Sequence, residues 1–351
     1  MGIASKIKPI LPVSSRTVHA MYADLYRLFE VLAEQREEQK AFESKVELML
    51  WELYRKEGES LDDAHKRLYS NMSPATGAMR LYQLASAQLL HEFDALCQRE
   101  GLSYWCVSGT LLGAVRHHGF IPWDDDLDVG MTRQDLERLM QVVKDDPRYR
   151  VTVRYDRFVL CCQMRFSYAD ESVPCFVDLF SFDLVSSASE ETFNRREEVR
   201  EALKAALEAD ESLGFWNEEN YYVEGDDPRS EAIRAHFTAS LNELYDSGVI
   251  VRSLDEAECV IWGIDNNDSF VRHHTWYLIP KEAVFPLGRV QFEGAEVNAP
   301  ADADRCLSDI YGNIYELPDD LASHYHHISQ FELNEDGSID ALRRVVSKGD
   351  C

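Results

Sequence analysis

The chain has 351 residues, 36 of them Lys or Arg and 63 Asp or Glu, for a net charge of −27 at pH 7, and 45% of its residues are hydrophobic. That length is enough for about two domains. The charge argues against a nucleic-acid binder or an electrostatic membrane anchor, both of which need a positive surface. A nucleotide substrate stays admissible, because a divalent cation or a small cationic patch can offset its charge locally.

In chain order, the first fifteen residues lack the apolar run of a secretory leader. Gly2 begins a myristoylation pattern that Lys6 breaks. Residues 13–57 hold neither Gly nor Pro. Within them Val18, Met21, Leu25, Leu28, Leu32, Gln35, Gln39, Phe42, Val46, Met49 and Leu53 alternate spacings of three and four. This is the a/d seam of a coiled coil about 54 Å long at ~1.5 Å per residue, and it predicts a homo-oligomer. The alternative is a long amphipathic helix lying on its own domain. A polar connector over 58–77, with at most one short helix, precedes a helix over Ala78–Glu100 that Gly101 stops. The uncharged stretch 101–115 is too short to span a bilayer. Tyr104–Val107 reads as a strand, Ser108-Gly109-Thr110 as a turn, Leu111–His117 as a short helix and Asp126–Val129 as a second strand. Thr132 then caps a helix running to Val143.

Three β-rich stretches follow at Arg150–Arg154, Arg157–Tyr168 and Pro174–Phe182, then helices near Glu190–Leu207 and Ser230–Tyr245. Ala205–Pro228 carries eight acidic and no basic residues and reads as a solvated loop. A strand pair and a helix around Ala303–Tyr311 close the pattern. The eight cysteines form no C-x-x-C pair. They read as small buried hydrophobes in a reducing cytosol rather than zinc ligands. The fold expected is a mixed α/β (α+β) sheet core flanked by helices. Its parts are a coiled-coil segment over 1–57, the connector over 58–77, a core over 78–185 and a helical remainder over 186–351.

Three features carry chemistry. In Trp123-Asp124-Asp125-Asp126-Leu127-Asp128-Val129, a strand would place Asp126 and Asp128 on one face. Paired carboxylates on a half-buried strand repel one another, and a divalent cation removes that cost. The reading without function is a solvated acidic turn. Asp178, in the middle of the apolar strand PCFVDLFSFD, needs a partner: a metal, a base, a hydrogen-bond cage, or an arginine such as Arg165. Together the three acids suit metal-dependent transfer at a phosphate, two holding Mg²⁺ (or Mn²⁺) and the third binding a second metal or taking the proton of the attacking hydroxyl. The turn at Gly109 and Thr110 offers backbone N–H groups to an anion. Arg116, His117 and Trp123 lie between that turn and the acids as candidate substrate contacts, Arg116 for a phosphate. Two weaker patterns are a histidine cluster at His324, His326 and His327, and an aromatic cage drawn from Trp105, Trp123, Trp262 and Trp276.

The run Gly109-Thr-Leu-Leu-Gly-Ala-Val-Arg-His-His-Gly-Phe-Ile-Pro-Trp-Asp-Asp-Asp-Leu-Asp128 resembles the signature of the LicD phosphocholine transferase family, to which fukutin-type proteins are related. Val177-Asp178-Leu179-Phe180 resembles that family's second acidic strand, with Ser181 where a proline is common. Phe292-Glu293-Gly294, Pro300, Tyr311-Gly312-Asn313 and Leu317-Pro318 resemble its C-terminal landmarks, with Asn313 in place of the usual Asp. The resemblance covers residues 78–330 and implies a nucleotidyltransferase-like fold. The implied reaction moves phosphocholine, or a similar substituted phosphate, from a CDP-linked donor such as CDP-choline to a hydroxyl of a glycan or lipid-linked saccharide, releasing CMP. In it Asp126, Asp128 and Asp178 would be the metal and catalytic acids. Gly109, Thr110, Arg116, His117, Trp123 and Arg165 would be the substrate contacts. The cytoplasm, free or at the inner membrane face, is the expected compartment. Two other readings are nucleotidyl transfer from a nucleoside triphosphate and a non-catalytic coiled-coil scaffold.

Overall fold

The computed structural model describes residues 15–219, 222–266, 278–316 and 338–349. It divides into two compact units, residues 1–65 and 66–351. The first unit is dominated by helix α1 (Ser15–Tyr54), 40 residues without a breaker. Its seam residues Leu28, Leu32, Phe42, Val46, Met49 and Leu53 are all exposed. A short helix α2 (Leu61–Ser70) then lies in the connector, with Asp62 and Asp63 in its first turn, where carboxylates complement the helix dipole.

The second unit is built on a mixed sheet. Helix α3 (Gly77–Glu100) ends at Gly101, whose left-handed conformation (φ 62°) lets its N–H close the last turn. Next come strand β1 (Tyr104–Cys106), helix α4 (Ser108–His117), strand β2 (Asp128–Thr132) and helix α5 (Arg133–Lys144). The Thr132 side chain caps α5 by accepting from the Asp135 N–H, as its sequence predicts. Strands β3 (Tyr149–Asp156), β4 (Cys161–Tyr168) and β5 (Phe176–Val185) lead into helix α6 (Glu190–Ala209), strand β6 (Tyr222–Glu224) and helix α7 (Ser230–Asp246). Short strands β7 (Ile250–Val251), β8 (Cys259–Trp262) and β9 (Ile279–Pro280) precede helix α8 (Lys281–Val284). The hairpin β10 (Gly288–Phe292) and β11 (Ala295–Ala299) follows, then helices α9 (Ala303–Tyr311) and α10 (Ser338–Gly349).

The main sheet runs β1-β2-β5-β4-β3-β6, while β7 and β8 pair with the far end of β5 and β9 pairs with β8. Strands β2 and β5 are parallel, and the other strand pairs among the described residues are antiparallel. Leu127, Val129, Met131, Val177 and Leu179 are buried. They alternate with the acids along β2 and β5, as period-two strands with one packed face require. Phe93 of α3 lies against Tyr104 and Phe166, with ring centroids 4.9 and 5.0 Å apart. Trp105 and Trp262 pack on Phe182 at 5.0 and 4.9 Å. Both tryptophans are core rather than walls of a cage, and Trp276 lies outside the described residues.

Three boundaries differ from the sequence reading. β2 begins at Asp128 rather than Asp126, because the Asp128 N–H goes to Thr110 Oγ1 and pairing with β5 starts only there. The turn at Ser108–Thr110 is already the first turn of α4. The acidic stretch 205–228 is not one loop. α6 runs to Ala209, and β6 pairs with the edge of β3, setting Glu224 opposite Arg154.

Candidate active site

The acids converge at one end of the parallel pair. Asp128 opens β2 and stands in register with Asp178 on β5, so neighbouring strands, roughly 4.8 Å apart, present both carboxylates to one face. The Asp178 N–H donates to the Leu127 carbonyl at 2.7 Å. Arg165 on β4 is the next residue in that row. Its Nε donates to Asp178 Oδ1 at 2.8 Å, and its guanidinium lies 3.8 Å from the centre of the Phe176 ring.

Before β2 the chain bends so that Asp124, Asp125 and Asp126 each offer a carboxylate oxygen, all within 4.8 Å of one another. Gln83 of α3 holds that bend, its amide donating to the carbonyls of Ile121 at 3.2 Å and Asp124 at 2.7 Å. Burial pushes the Asp128 carboxyl well above the usual carboxylate range, and the negative charges of Asp126, Asp178 and Asp124 add to the push. Asp124 is raised likewise, by burial and by Asp126 beside it. The positive charge of Arg165 opposes this at Asp128. Asp124, Asp125 and Asp126, with Asp128 following on β2, make a hard, oxygen-rich donor set of the kind that holds Mg²⁺ or Mn²⁺.

The turn beside the acids is tightly built. Ser108, buried, takes a positive φ of 48° at the start of α4, a strained conformation of the sort concentrated at functional sites. A Cβ on Gly109 would lie 2.7 Å from Asp124 Oδ2. The Asp124 carboxylate therefore sits over the turn, where the sequence reading places a phosphate. Thr110 is buried, and its oxygen accepts from the Asp128 N–H, tying the turn to the acid strand. Glu293, at the β10–β11 turn, pairs through both oxygens with Arg80 at 2.6 and 2.8 Å, and its Oε1 accepts from the Phe120 N–H at 3.1 Å. That brace fixes the loop between α4 and the acids.

Arg116, the candidate phosphate contact, is 3% exposed. It stacks 3.8 Å from the Tyr69 ring centre, and its Nε and Nη2 have no hydrogen-bond partner among the described residues. Tyr311 and Tyr315 are close enough to act on its charge. Tyr311 also lies within electrostatic reach of Asp128, Asp124 and Asp126. His117 is pushed down to about 4 by burial and by Arg116 beside it, so its ring is neutral at pH 7. Trp123 is half-buried against the core. His324, His326 and His327 lie outside the described residues.

Sequence reasoning named Asp126, Asp128, Asp178 and Arg165; the structure sets Asp128, Asp178 and Arg165 in one row across three strands and groups Asp126 with Asp124 and Asp125. It missed the part of Asp124 and Asp125, which only the bend before β2 reveals, and that of Tyr69 and Tyr311, whose positions follow from long-range packing. Asp183, five residues after Asp178, is structural. With Asp265 it forms a buried ion pair to Arg133, whose Nη2 lies 2.8 Å from Asp265 Oδ1. Ser181 completes that network, its hydroxyl donating to Asp265 at 2.6 Å.

Comparison with known proteins matches residues 101–202 to the family model described as LicD/FKTN/FKRP, nucleotidyltransferase domain. The lipopolysaccharide cholinephosphotransferase LicD of Haemophilus influenzae is 34% identical over 117 residues, 30% of this chain and 44% of that protein. The human ribitol 5-phosphate transferase FKRP is 45% identical over 42 residues, 12% of this chain and 8% of that protein. The chain thus spans less than half of either relative. The match runs from β1 through the acid strands to α6, and over those residues the chain is similar to the LicD/FKTN/FKRP nucleotidyltransferase domain.

Proposed function

We propose that this chain is a LicD-type phosphotransferase, moving a substituted phosphate from a CDP-linked donor to a hydroxyl of a glycan or lipid-linked saccharide and releasing CMP. The observation that carries the reading is the in-register pair of half-buried Asp128 and buried Asp178, beside Asp124–Asp126 at the mouth of a strand–turn–helix junction. The names of the two relatives support it: they differ in the alcohol transferred and agree on the phosphate.

Asp126 and Asp128, with Asp124 and Asp125 beside them, would hold Mg²⁺ or Mn²⁺. When bound, the ion supplies positive charge against the donor's diphosphate. Arg116 offers the diphosphate two N–H groups that now lack partners. The acceptor oxygen forms a bond to the donor's distal phosphorus as the bond from that phosphorus to the bridging oxygen breaks, and the electron pair leaves with CMP. Asp178, held in place by Arg165, takes the hydroxyl proton.

Calorimetric titration with CDP-choline, CDP-ethanolamine, CDP-ribitol and CTP, each with and without Mg²⁺, tests this. One CDP-linked donor should bind only with Mg²⁺, and Asp128→Asn should lose that binding and at least a thousandfold in transfer while keeping its circular dichroism. Preference for CTP alone would point to nucleotidyl transfer. Undiminished turnover in Asp128→Asn would sink the assignment.

A further inference from the structure

The face of the sheet that carries Asp178 continues past it as a trough. β3 and β4 lie side by side with Arg150 opposite Ser167, Thr152 opposite Arg165 and Arg154 opposite Gln163. These residues share the face of Asp178, while Val151, Val153, Met164 and Phe166 fill the other. A cleft of about 350 Å³ runs over them, lined by Arg150, Arg154, Gln163, Arg165, Ser167 and Phe176 among others, a size within the range of small-molecule sites. Three guanidinium groups lie in one wall of a chain whose net charge is −27.

Arg165 is committed to Asp178. Arg150 and Arg154 are held by Glu171 and Glu224, in pairs whose side chains are 40% and 79%, and 37% and 44%, exposed. Exposed pairs of this kind contribute only about 0–1 kcal/mol, so either arginine can exchange its partner for a ligand anion. Arg154 also lies 4.4 Å from the Tyr222 ring centre, and Arg150 Nε donates to Ser167 at 3.2 Å. Both heads are therefore positioned in the cleft rather than free to wander.

The sheet order separates this trough from the donor side. Gly109, Thr110 and Arg116 belong to α4, beside β2, whereas the trough begins at β4, with Asp178 on the strand between. A hydroxyl poised at Asp178 belongs to a molecule lying over β4 and β3. We propose that this trough is the acceptor subsite and that the acceptor is anionic, bearing a phosphate or carboxylate that Arg150 and Arg154 grip while its hydroxyl meets Asp178. The proposal rests on the transferase reading for the role of Asp178. The anion grip itself needs only the trough.

Titration of the full chain in Mg²⁺ buffer with mannose 6-phosphate, glucuronate and mannose tests it, with Mn²⁺ binding followed separately by electron paramagnetic resonance. One or both charged sugars should bind, the better one identifying the anion, and mannose should bind at least tenfold more weakly. Arg150→Gln with Arg154→Gln should weaken the charged sugar at least tenfold and leave Mn²⁺ binding and melting temperature unchanged. Equal binding of mannose, or a charged sugar held undiminished by the double variant, overturns the proposal. Should the double variant fail to fold, amide shift mapping on the wild type decides: perturbations on β3 and β4 uphold it, and perturbations confined to α4 overturn it. Loss of Mn²⁺ binding in the wild type would instead count against the transferase reading and leave the anion grip to stand or fall on the sugars.

Discussion

Asp128 is where burial and charge act on one side chain. Its carboxyl holds a proton to higher pH when folded than when unfolded. Between the ordinary value near 4 and that raised value the folded state binds more protons, so stability falls as pH rises. Asp128→Asn removes the charge. With EDTA present the variant should therefore melt above the wild type at pH 7, by about 1 kcal/mol, and the gap should close towards pH 4. Added Mg²⁺ should raise the wild type and leave the variant where it is. A flat difference across pH 4–8 would show that Asp128 is not buried as a charge. That Asp128 and Asp178 are out of place was legible from sequence, because a carboxylate in an apolar strand is anomalous. The place of Asp124 over Gly109 was not, since it depends on a bend fixed by Gln83, a residue 41 positions away along the chain.

Elements bring these residues to their places, and β2 is the critical one. It is five residues long and buried from Val129 onward. Gly130 lies at its centre because a Cβ there would come 2.6 Å from Phe182 and 2.8 Å from Trp105. Gly130→Ala should overpack this contact and cost about 1–3 kcal/mol, read as a lower urea midpoint, with weaker Mn²⁺ binding because Asp128 is two residues away. An unchanged midpoint would mean that the rings move aside freely. The main strands and helices were legible from apolar periodicity and the Thr132 cap. β6 was not: Tyr222-Val223-Glu224 carries no pattern of its own and is a strand only because the edge of β3 accepts it. β7 and β9, two residues each, were invisible for the same reason.

Across the whole molecule, the acids of the site are a small part of a charge of −27, and the helix ahead of the domain is a separate unit. The exposed seam of α1 is what two or more copies would cover. Removing residues 1–57 should therefore reduce an oligomer to a monomer in sedimentation while the melting of the remaining chain and its Mg²⁺ response persist. A particle already monomeric at full length would dismiss the coiled coil. The heptad itself was fully legible, but the number of strands it forms is a property of the assembly.

The parallel pairing of β2 with β5 has a further consequence. Asp128 and Asp178 become neighbours only when two strands fifty positions apart, with β3 and β4 between them in the chain, align in one register. A slip of one residue would put Val177 or Leu179 in the carboxylate's place and turn Asp178 into the core. The side-by-side placing of the two carboxylates is thus closed by a long-range contact, of the kind that forms slowly. A chain caught midway has no partial version of it, so recovered activity after denaturation counts correctly registered molecules and nothing else.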